Sequence, residues 1–327
     1  MKAVKVTSFG GPGRLELVDA PDPKPEPDEI RVRVQYAAVN FADVNRRRGT
    51  YAGPGAQFPL SLGLEVFGQV DGLGAEVVGW SLGDAVAGFT LTGSYAELAI
   101  VPQHLAYHVP STLDSQQAAA FPVAGQTAYH LLTSTARAQP EDRLLVTGAA
   151  GGVGLCLIQI ARLLGCGQII AAAGTQKRMR TVLDAGAHAA LNSRSGDLAA
   201  EAMRITDEHG ADLVFDAVGG DVRDAALHAL APFGKLVQYG NASGAPESLP
   251  SARSLRTANV GIVGFHLAAL RNRLPRLLQA SATTLTRWLS EGSIRFPIAE
   301  VLPLDQAQRA HELLESRAVE GKVLLEP

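Results

Sequence analysis

The stretch LLVTGAAGGVGLCLIQIARLLG, Leu144 to Gly165, restricts the fold more than any other part of this chain. It begins as a short apolar run, bends through four closely spaced glycines, and continues with helical spacing from Val153 to Leu164. From Leu144 to Ala161 there are eighteen residues without a charge, a length that hydropathy alone would read as a membrane span. The glycines at its centre favour a buried strand-turn-helix instead.

Within the bend, the frame G-x-G-x-x-G falls on Ala149-Ala150-Gly151-Gly152-Val153-Gly154, with alanine where the first glycine stands. In that frame Gly151 lets a backbone approach a pyrophosphate and Gly154 lets the helix pack on the strand. The free amides and the helix dipole then point at the phosphates. Ala150, Gly151, Gly152 and Val153 are therefore the expected phosphate loop of a dinucleotide site. The next strand ends AAAGTQKR, without the carboxylate that accepts hydrogen bonds from the ribose of NAD. Lys177 and Arg178 follow at once and offer charged donors to a 2′-phosphate, which predicts NADPH rather than NADH.

On either side of this segment the style of the chain differs. Up to about Phe121 it consists of short β-rich pieces, AVKVTSF, EIRVRVQYAAV, VFGQVDGLGAEVVG, DAVAGF and SYAELAIV, separated by turns. These predict an antiparallel, partly closed sheet. From about Ala124 strands alternate with helices: RLLVTG, QIIAAAG, ADLVFDAVGG, KLVQYG and VGIVGF are the strands, with helices over TQKRMRTVLDAG and DVRDAALHALAPFG. That rhythm predicts a doubly wound parallel sheet covered on both faces. The tail, with helices over LPRLLQASATTLTRWLSEG and DQAQRAHELLESRAVEG and strands at IAEVLPL and KVLLEP, returns to the first style. The second lobe thus reads as inserted into the first.

A chain of 327 residues has room for about two domains of roughly 150 residues each. Its net charge of -3 gives no basic footprint for nucleic acid or an anionic membrane, so small-molecule partners are expected. Cys156 and Cys166 are too few for a disulfide framework, and the start MKAVKVTSFGGPG lacks a signal-peptide pattern. Both point to a reducing, cytoplasmic setting. His104 and His108 lie in the irregular QHLAYHVP and read as surface histidines rather than metal ligands.

Several further segments, AAVNFADVNRRRGTY, PLSLGLEVFGQV, VAGQTAYHLL, VFDAVGG, GKLVQYGNASGAP and the tail from Gln306, join the glycine bend in a pattern that runs the length of the chain. With them the chain resembles the zinc-independent quinone oxidoreductases, related to ζ-crystallin, of the medium-chain dehydrogenase/reductase superfamily. The resemblance implies a Rossmann NADPH-binding domain at 123–265 inside a GroES-like catalytic domain at 1–122 and 266–327, with the nicotinamide in the cleft between them. It implies Asn40, Thr127, Asn241 and Phe265 near the nicotinamide end, with Gly240 also binding the cofactor. Gly174, Thr175, Arg178 and Ser193 would then lie near the 2′-phosphate, with Arg317 reaching over from the tail. Ser193 replaces a tyrosine common near the adenosine phosphate, and Asn45 replaces one beside the substrate. A homodimer is implied as well, through VGIVGF at the sheet edge.

Zinc enzymes of that superfamily carry a cysteine and a Gly-His-Glu segment as ligands. Here Asn40 and Gly63-Leu64-Glu65 stand in their places, and neither asparagine nor leucine supplies a thiolate or an imidazole. No metal is expected, so the acceptor must already be electron-poor: a quinone first, an enone or enoyl thioester second. Asn40 and Tyr51 are the candidate donors or positioning groups. A nicotinamide-binding protein without catalysis remains the third reading.

Overall fold

The computed structural model describes residues 1–51, 57–194, 197–246 and 248–327. The chain divides into two compact units, Met1–Gln126 with Ala268–Pro327, and Thr127–Leu267. The sequence reading divided it at 123 and 266. The observed division falls inside a helix, where a continuous backbone marks no edge in the sequence.

The first unit is built on a long strand. β1 (Lys2–Val6) pairs antiparallel with β2 (Leu15–Asp19), and β3 (Glu29–Val39) leads into the short helix α1 (Phe41–Arg48). β4 (Leu60–Ser61) adds to β1, while β5 (Glu65–Leu73), β6 (Ala85–Phe89), β7 (Leu98–Pro102) and β8 (Ala106–His108) complete this part. Along β3 the buried Ile30, Val32 and Val34 alternate with Arg31 and Arg33, the period of two that puts one face of a sheet into a core. β3 pairs antiparallel with both β5 and β7, and the β3–β5 register shifts at Arg31/Val32 and at Val34/Tyr36. Such irregularities bend and twist a strand, and a bent hub strand curls the sheet around its core. Ile30, Val32, Val66, Val86 and Val101 fill that core, each contributing about 1.5–3 kcal/mol when fully buried.

Helix α2 (Ser115–His130) carries the chain into the second unit. There β9 (Arg143–Val146) is followed by α3 (Gly152–Leu163), β10 (Gln168–Ala173), α4 (Gln176–Asp184) and β11 (Ala189–Asn192). The chain then returns through α5 (Leu198–Ile205) to β12 (Ala211–Asp216), α6 (Gly220–His228), β13 (Leu230–Gln238), α7 (Ala252–Ala258) and β14 (Gly261–Gly264). All pairings are parallel, in the order β11-β10-β9-β12-β13-β14. The order reverses beside β9, and the carboxyl ends of β9 and β12 therefore flank the crevice where such sheets bind ligands. Helix α3 buries Leu155, Cys156, Leu157, Ile158, Ile160 and Ala161, which accounts for the uncharged run without a membrane. Among the described residues no helix is long and apolar enough to cross one.

The tail, α8 (Leu267–Arg273), α9 (Pro275–Ser290), β15 (Ile298–Pro303), α10 (Ala307–Glu315) and β16 (Lys322–Glu326), comes back to the first unit. β16 pairs antiparallel with β3 and parallel with β15. Two elements end earlier than their patterns predict. The expected helix over DVRDAALHALAPFG stops at His228, because Pro232 cannot donate to a helix and the strand begins at Leu230. Phe233 there takes φ +68 and stays 82% exposed, bulging out where β12 and β13 shift register. The last helix stops at Glu315, and Arg317 turns the chain at φ +54.

One glycine fixes the β3–β5 contact. A Cβ on Gly68 would sit 2.0 Å from the Arg33 carbonyl oxygen, so the two backbones touch only because that atom is missing. Gly68→Ala is expected to lower the unfolding free energy by about 1–3 kcal/mol, read from the urea midpoint, as overpacking elsewhere does.

Candidate active site

In the second unit the glycine bend closes differently from its sequence frame. Gly148, one residue ahead of the frame, takes φ +59 and makes the tight turn. Alanine is therefore tolerated at 149: the left-handed residue stands before it, and the Ala149 N–H donates to Ala172 O at 3.3 Å. Gly151 precedes α3 with no side chain capping the helix, and a Cβ on it would meet only Gly148 O, at 3.4 Å. The start of α3 thus presents amides that no side chain covers, beside an open approach. A Cβ on Gly154 would lie 2.5 Å from Ala149 O. This glycine makes room for the loop's own backbone rather than for the strand that the sequence frame assigns to it.

The neighbouring loops at the same edge are tied together by one buried carboxylate. Asp216, at the end of β12, accepts from the Thr147 hydroxyl at 2.6 Å and from the backbone amides of Val218 and Gly219 at 3.2 and 2.9 Å. Burial pushes its carboxyl upward, while these donors pull it back. Gly219 needs its missing side chain, since a Cβ there would meet Asn241 Oδ1 at 2.4 Å. Asn241 donates to Ala245 O at 2.9 Å and accepts from the Ser243 hydroxyl at 2.9 Å, shaping the loop after β13. Gly240 packs on Ala217, and the Phe265 N–H donates to Gln238 O at 2.9 Å just beyond β14. At the end of β10 the Thr175 hydroxyl accepts from the Arg178 N–H at 3.3 Å and caps α4, whose first turn carries Lys177 and Arg178. The Ser193 N–H donates to Ala173 O at 3.0 Å and prolongs the β10–β11 pairing. Ala150 to Val153, Gly174 to Arg178, Ser193, Gly240, Asn241 and Phe265 thereby all fall on the carboxyl edge of one sheet. Thr127 is buried in α2.

The first unit holds a buried polar cluster. Asn40, ahead of α1, donates both amide hydrogens inward, to Ala38 O at 3.2 Å and Glu65 Oε1 at 2.8 Å. Its Oδ1 accepts from Lys322 Nζ at 2.8 Å, and the same ammonium reaches Glu65 Oε1 at 2.8 Å and Val39 O at 3.3 Å. Glu65 Oε2 accepts the Val123 N–H at 2.6 Å. Asp43 accepts the Asn40 and Gly63 amides at 2.9 and 3.1 Å, joining α1 to the segment before β5. Beside it lies Arg47, fully buried and paired with Glu315, which also takes Arg48 at 2.9 Å. His311 bonds the Tyr95 hydroxyl at 3.2 Å, and burial, with Arg47 and Arg48 nearby, pushes it down to about 3, so it is neutral. Both amide hydrogens of Asn40 are thus engaged within the protein. Asn45 is half-buried on α1, where its backbone carbonyl accepts from the Thr50 hydroxyl at 3.1 Å. Tyr51 is 46% exposed on the turn after it. Arg317 follows α10 in the tail.

Two domain models match the chain: the alcohol dehydrogenase GroES-like domain over residues 26–111 and the zinc-binding dehydrogenase domain over residues 152–283. A quinone oxidoreductase of Pseudomonas aeruginosa is 33% identical over 327 residues, covering 100% of this chain and 99% of that protein. The chain belongs to the quinone oxidoreductase family. Among solved structures, Escherichia coli quinone oxidoreductase complexed with NADPH has a TM-score of 0.95 at 32% identity and covers 100% of both chains. A mycobacterial protein complexed with NADPH has a TM-score of 0.94 at 34% identity, also over 100% of both. GroES-like and Rossmann folds are thus those of the family, as the motifs implied.

One matched model carries zinc in its description, but this quinone oxidoreductase family member does not offer a zinc site at the place its superfamily uses. The donors gathered there are an amide, a carboxylate and an ammonium, and Lys322 already holds the Glu65 oxygen that a metal would take. Among the described residues no three His, Cys, Asp or Glu side chains come together as a metal set. His104 and His108 are both exposed, and His108 stacks on Trp80 with ring centroids 3.7 Å apart. Sequence reasoning missed Lys322, Asp43, Arg47, Glu315, His311 and Asp216. GLE and VFDAVGG carried a hint, since a charged residue inside an apolar run needs a partner if buried.

Lys322→Met leaves the Glu65 carboxylate buried without its cation and is expected to cost about 3–5 kcal/mol in urea denaturation, with Glu65→Gln added to it recovering part of the loss. Burial pushes the Asp43 carboxyl up from 3.8 to about 6, against the pull of the Asn40 and Gly63 amides. The folded chain binds this proton more tightly than the unfolded one. Its stabilising effect is therefore complete below the unfolded value and is lost as pH rises through the folded one. Relative to Asp43→Asn, the wild type is expected to lose about 3 kcal/mol of unfolding free energy between about pH 4 and about pH 7.

Proposed function

We propose that this chain is an NADPH-dependent quinone oxidoreductase that works without a metal. The observation that carries this reading is the likeness, over the whole of both chains, to E. coli quinone oxidoreductase complexed with NADPH. The local geometry fits such a cofactor. Gly151 leaves space at an uncapped helix start for a pyrophosphate, and β10 ends without a carboxylate while Lys177 and Arg178 stand in the next turn. In this reading Ala150 to Val153 hold the pyrophosphate, Gly174, Thr175, Lys177, Arg178 and Ser193 the adenosine phosphate, and Gly240, Asn241, Phe265 and Thr127 the nicotinamide half. Bound NADPH supplies a hydride, so that quinone, NADPH and a proton give hydroquinone and NADP⁺.

The chain's own residues then bind and orient rather than activate an alcohol. At that place the Lys322 ammonium is already engaged by Glu65 and Asn40, a donor set that suits no Lewis acid, and the reading takes an acceptor that is already electron-poor. Asn45 and Tyr51 are assigned to the acceptor; Tyr51 is 46% exposed. Asn40, held by Lys322 and Glu65, fixes the start of the helix that carries Asn45. The reading includes a cytoplasmic location and a homodimer formed through β14, whose outer edge pairs with no strand among the described residues and exposes Val263.

NADPH oxidation with 1,4-benzoquinone, followed at the nicotinamide absorbance on chelator-treated protein, is expected to proceed unchanged by the chelator. Loss of turnover on chelation overturns the metal-free reading. Turnover with an enone but not a quinone moves the activity to double-bond reduction, and NADPH binding without any turnover leaves a non-catalytic binder. Replacing Lys177 and Arg178 by alanine is expected to raise KM for NADPH about tenfold or more and leave KM for NADH nearly unchanged, in line with the loss of charge-assisted phosphate contacts.

A further inference from the structure

Gly174 follows β10 with a backbone that any residue adopts, since its φ lies outside the left-handed range. What its small size permits is a neighbour. A Cβ on Gly174 would lie 2.8 Å from Nε, 3.2 Å from Cδ and 3.4 Å from Cγ of Arg194, so the arginine side chain runs lengthwise across the bare glycine. The backbone delivers it there. The Ser193 N–H donates to Ala173 O at 3.0 Å, carrying the β10–β11 ladder one residue past its last pair, Ala173 with Asn192. The Arg194 N–H then donates to Asn192 Oδ1 at 3.0 Å and closes an Asx turn.

The result is an arginine whose Nε lies over Gly174, at the residue that joins β10 to the loop before α4, whose first turn carries Lys177 and Arg178. Among the described residues no carboxylate pairs with it, although surface arginines elsewhere in the chain, such as Arg33, Arg48 and Arg309, do find one. A planar fork of donors that packs on Gly174 and meets no carboxylate among the described residues suits a phosphate, which it can grip through two parallel hydrogen bonds. Resting on the NADPH reading, we propose that Arg194 is a specificity-determining residue that binds the 2′-phosphate of the cofactor, and that position 174 is glycine to let it lie there. The sequence reading placed Lys177 and Arg178 in this role and passed over Arg194, which is adjacent to Ser193 but distant in sequence from Gly174.

The test is binding, read by NADPH and NADH fluorescence titration and by calorimetry with 2′,5′-ADP against 5′-AMP, so it needs no acceptor. Arg194→Ala is expected to weaken NADPH and 2′,5′-ADP about tenfold, equivalent to about 1.4 kcal/mol, and to leave NADH and 5′-AMP within about twofold. Arg194→Lys, which keeps the charge and loses the fork, should fall between. Gly174→Ala, which puts a methyl group into the arginine, should reproduce the NADPH-selective loss with Arg194 intact. Equal weakening of all four ligands, or no weakening in Arg194→Ala, overturns the assignment while the wild type's preference for NADPH upholds the cofactor reading. A wild type that binds NADH as tightly as NADPH overturns both.

Discussion

The contact on which the first unit depends is the buried ammonium of Lys322 against Glu65 and Asn40. It joins the last strand of the chain to β5 and to the residue that starts α1, while the other oxygen of Glu65 holds the Val123 amide in α2. A domain made of two separate stretches of chain must be closed by something, and β-pairing of β16 with β3 is only part of it. Hydrophobic burial around the cluster is non-directional and tolerates sliding. A charge pair with four further hydrogen bonds at 2.6 to 3.3 Å does not, because any slip leaves an ion uncompensated away from water.

The same cluster decides what chemistry the fold can host. Zinc dehydrogenases of this architecture and the present chain share a scaffold, yet the place that could hold a metal here holds an internal cation. The second pairing of the region, Arg47 and Arg48 with Glu315, fixes α1 to α10 and so sets the helix that bears Asn45. In the other unit Asp216 has a comparable part. By accepting from Thr147 and from its own loop's amides it locks together the two loops at the point where the strand order reverses. Rigid loops there matter because a binding site made of backbone amides has no side chains to adjust.

Much of this was legible in residues that are neighbours in sequence. The glycine bend, the alternating strands and helices, the absence of a carboxylate after β10 and the antiparallel pieces of the first unit all follow from local spacing. Local rules also misled at particular places. Gly148 rather than the frame's first residue makes the turn, Gly154 faces Ala149 rather than the strand, and Pro232 with Phe233 belongs to a bulged strand rather than a helix. Asn40 was singled out as a candidate donor or positioning group, and the fold gives both its amide hydrogens partners inside the protein.

What the sequence determined by itself was the kind of molecule: a dinucleotide-binding parallel sheet inserted in a curled antiparallel one, within a recognisable family. Periodicity and turn chemistry act over a few residues and can be read along a line. Tertiary structure alone decided which charges meet. Lys322 and Glu65 stand 257 residues apart, and Arg194 crosses Gly174 only because β10 and β11 lie side by side. A charge's meaning is set by its partner and by its distance from water, and both are properties of the folded chain rather than of the order of its residues.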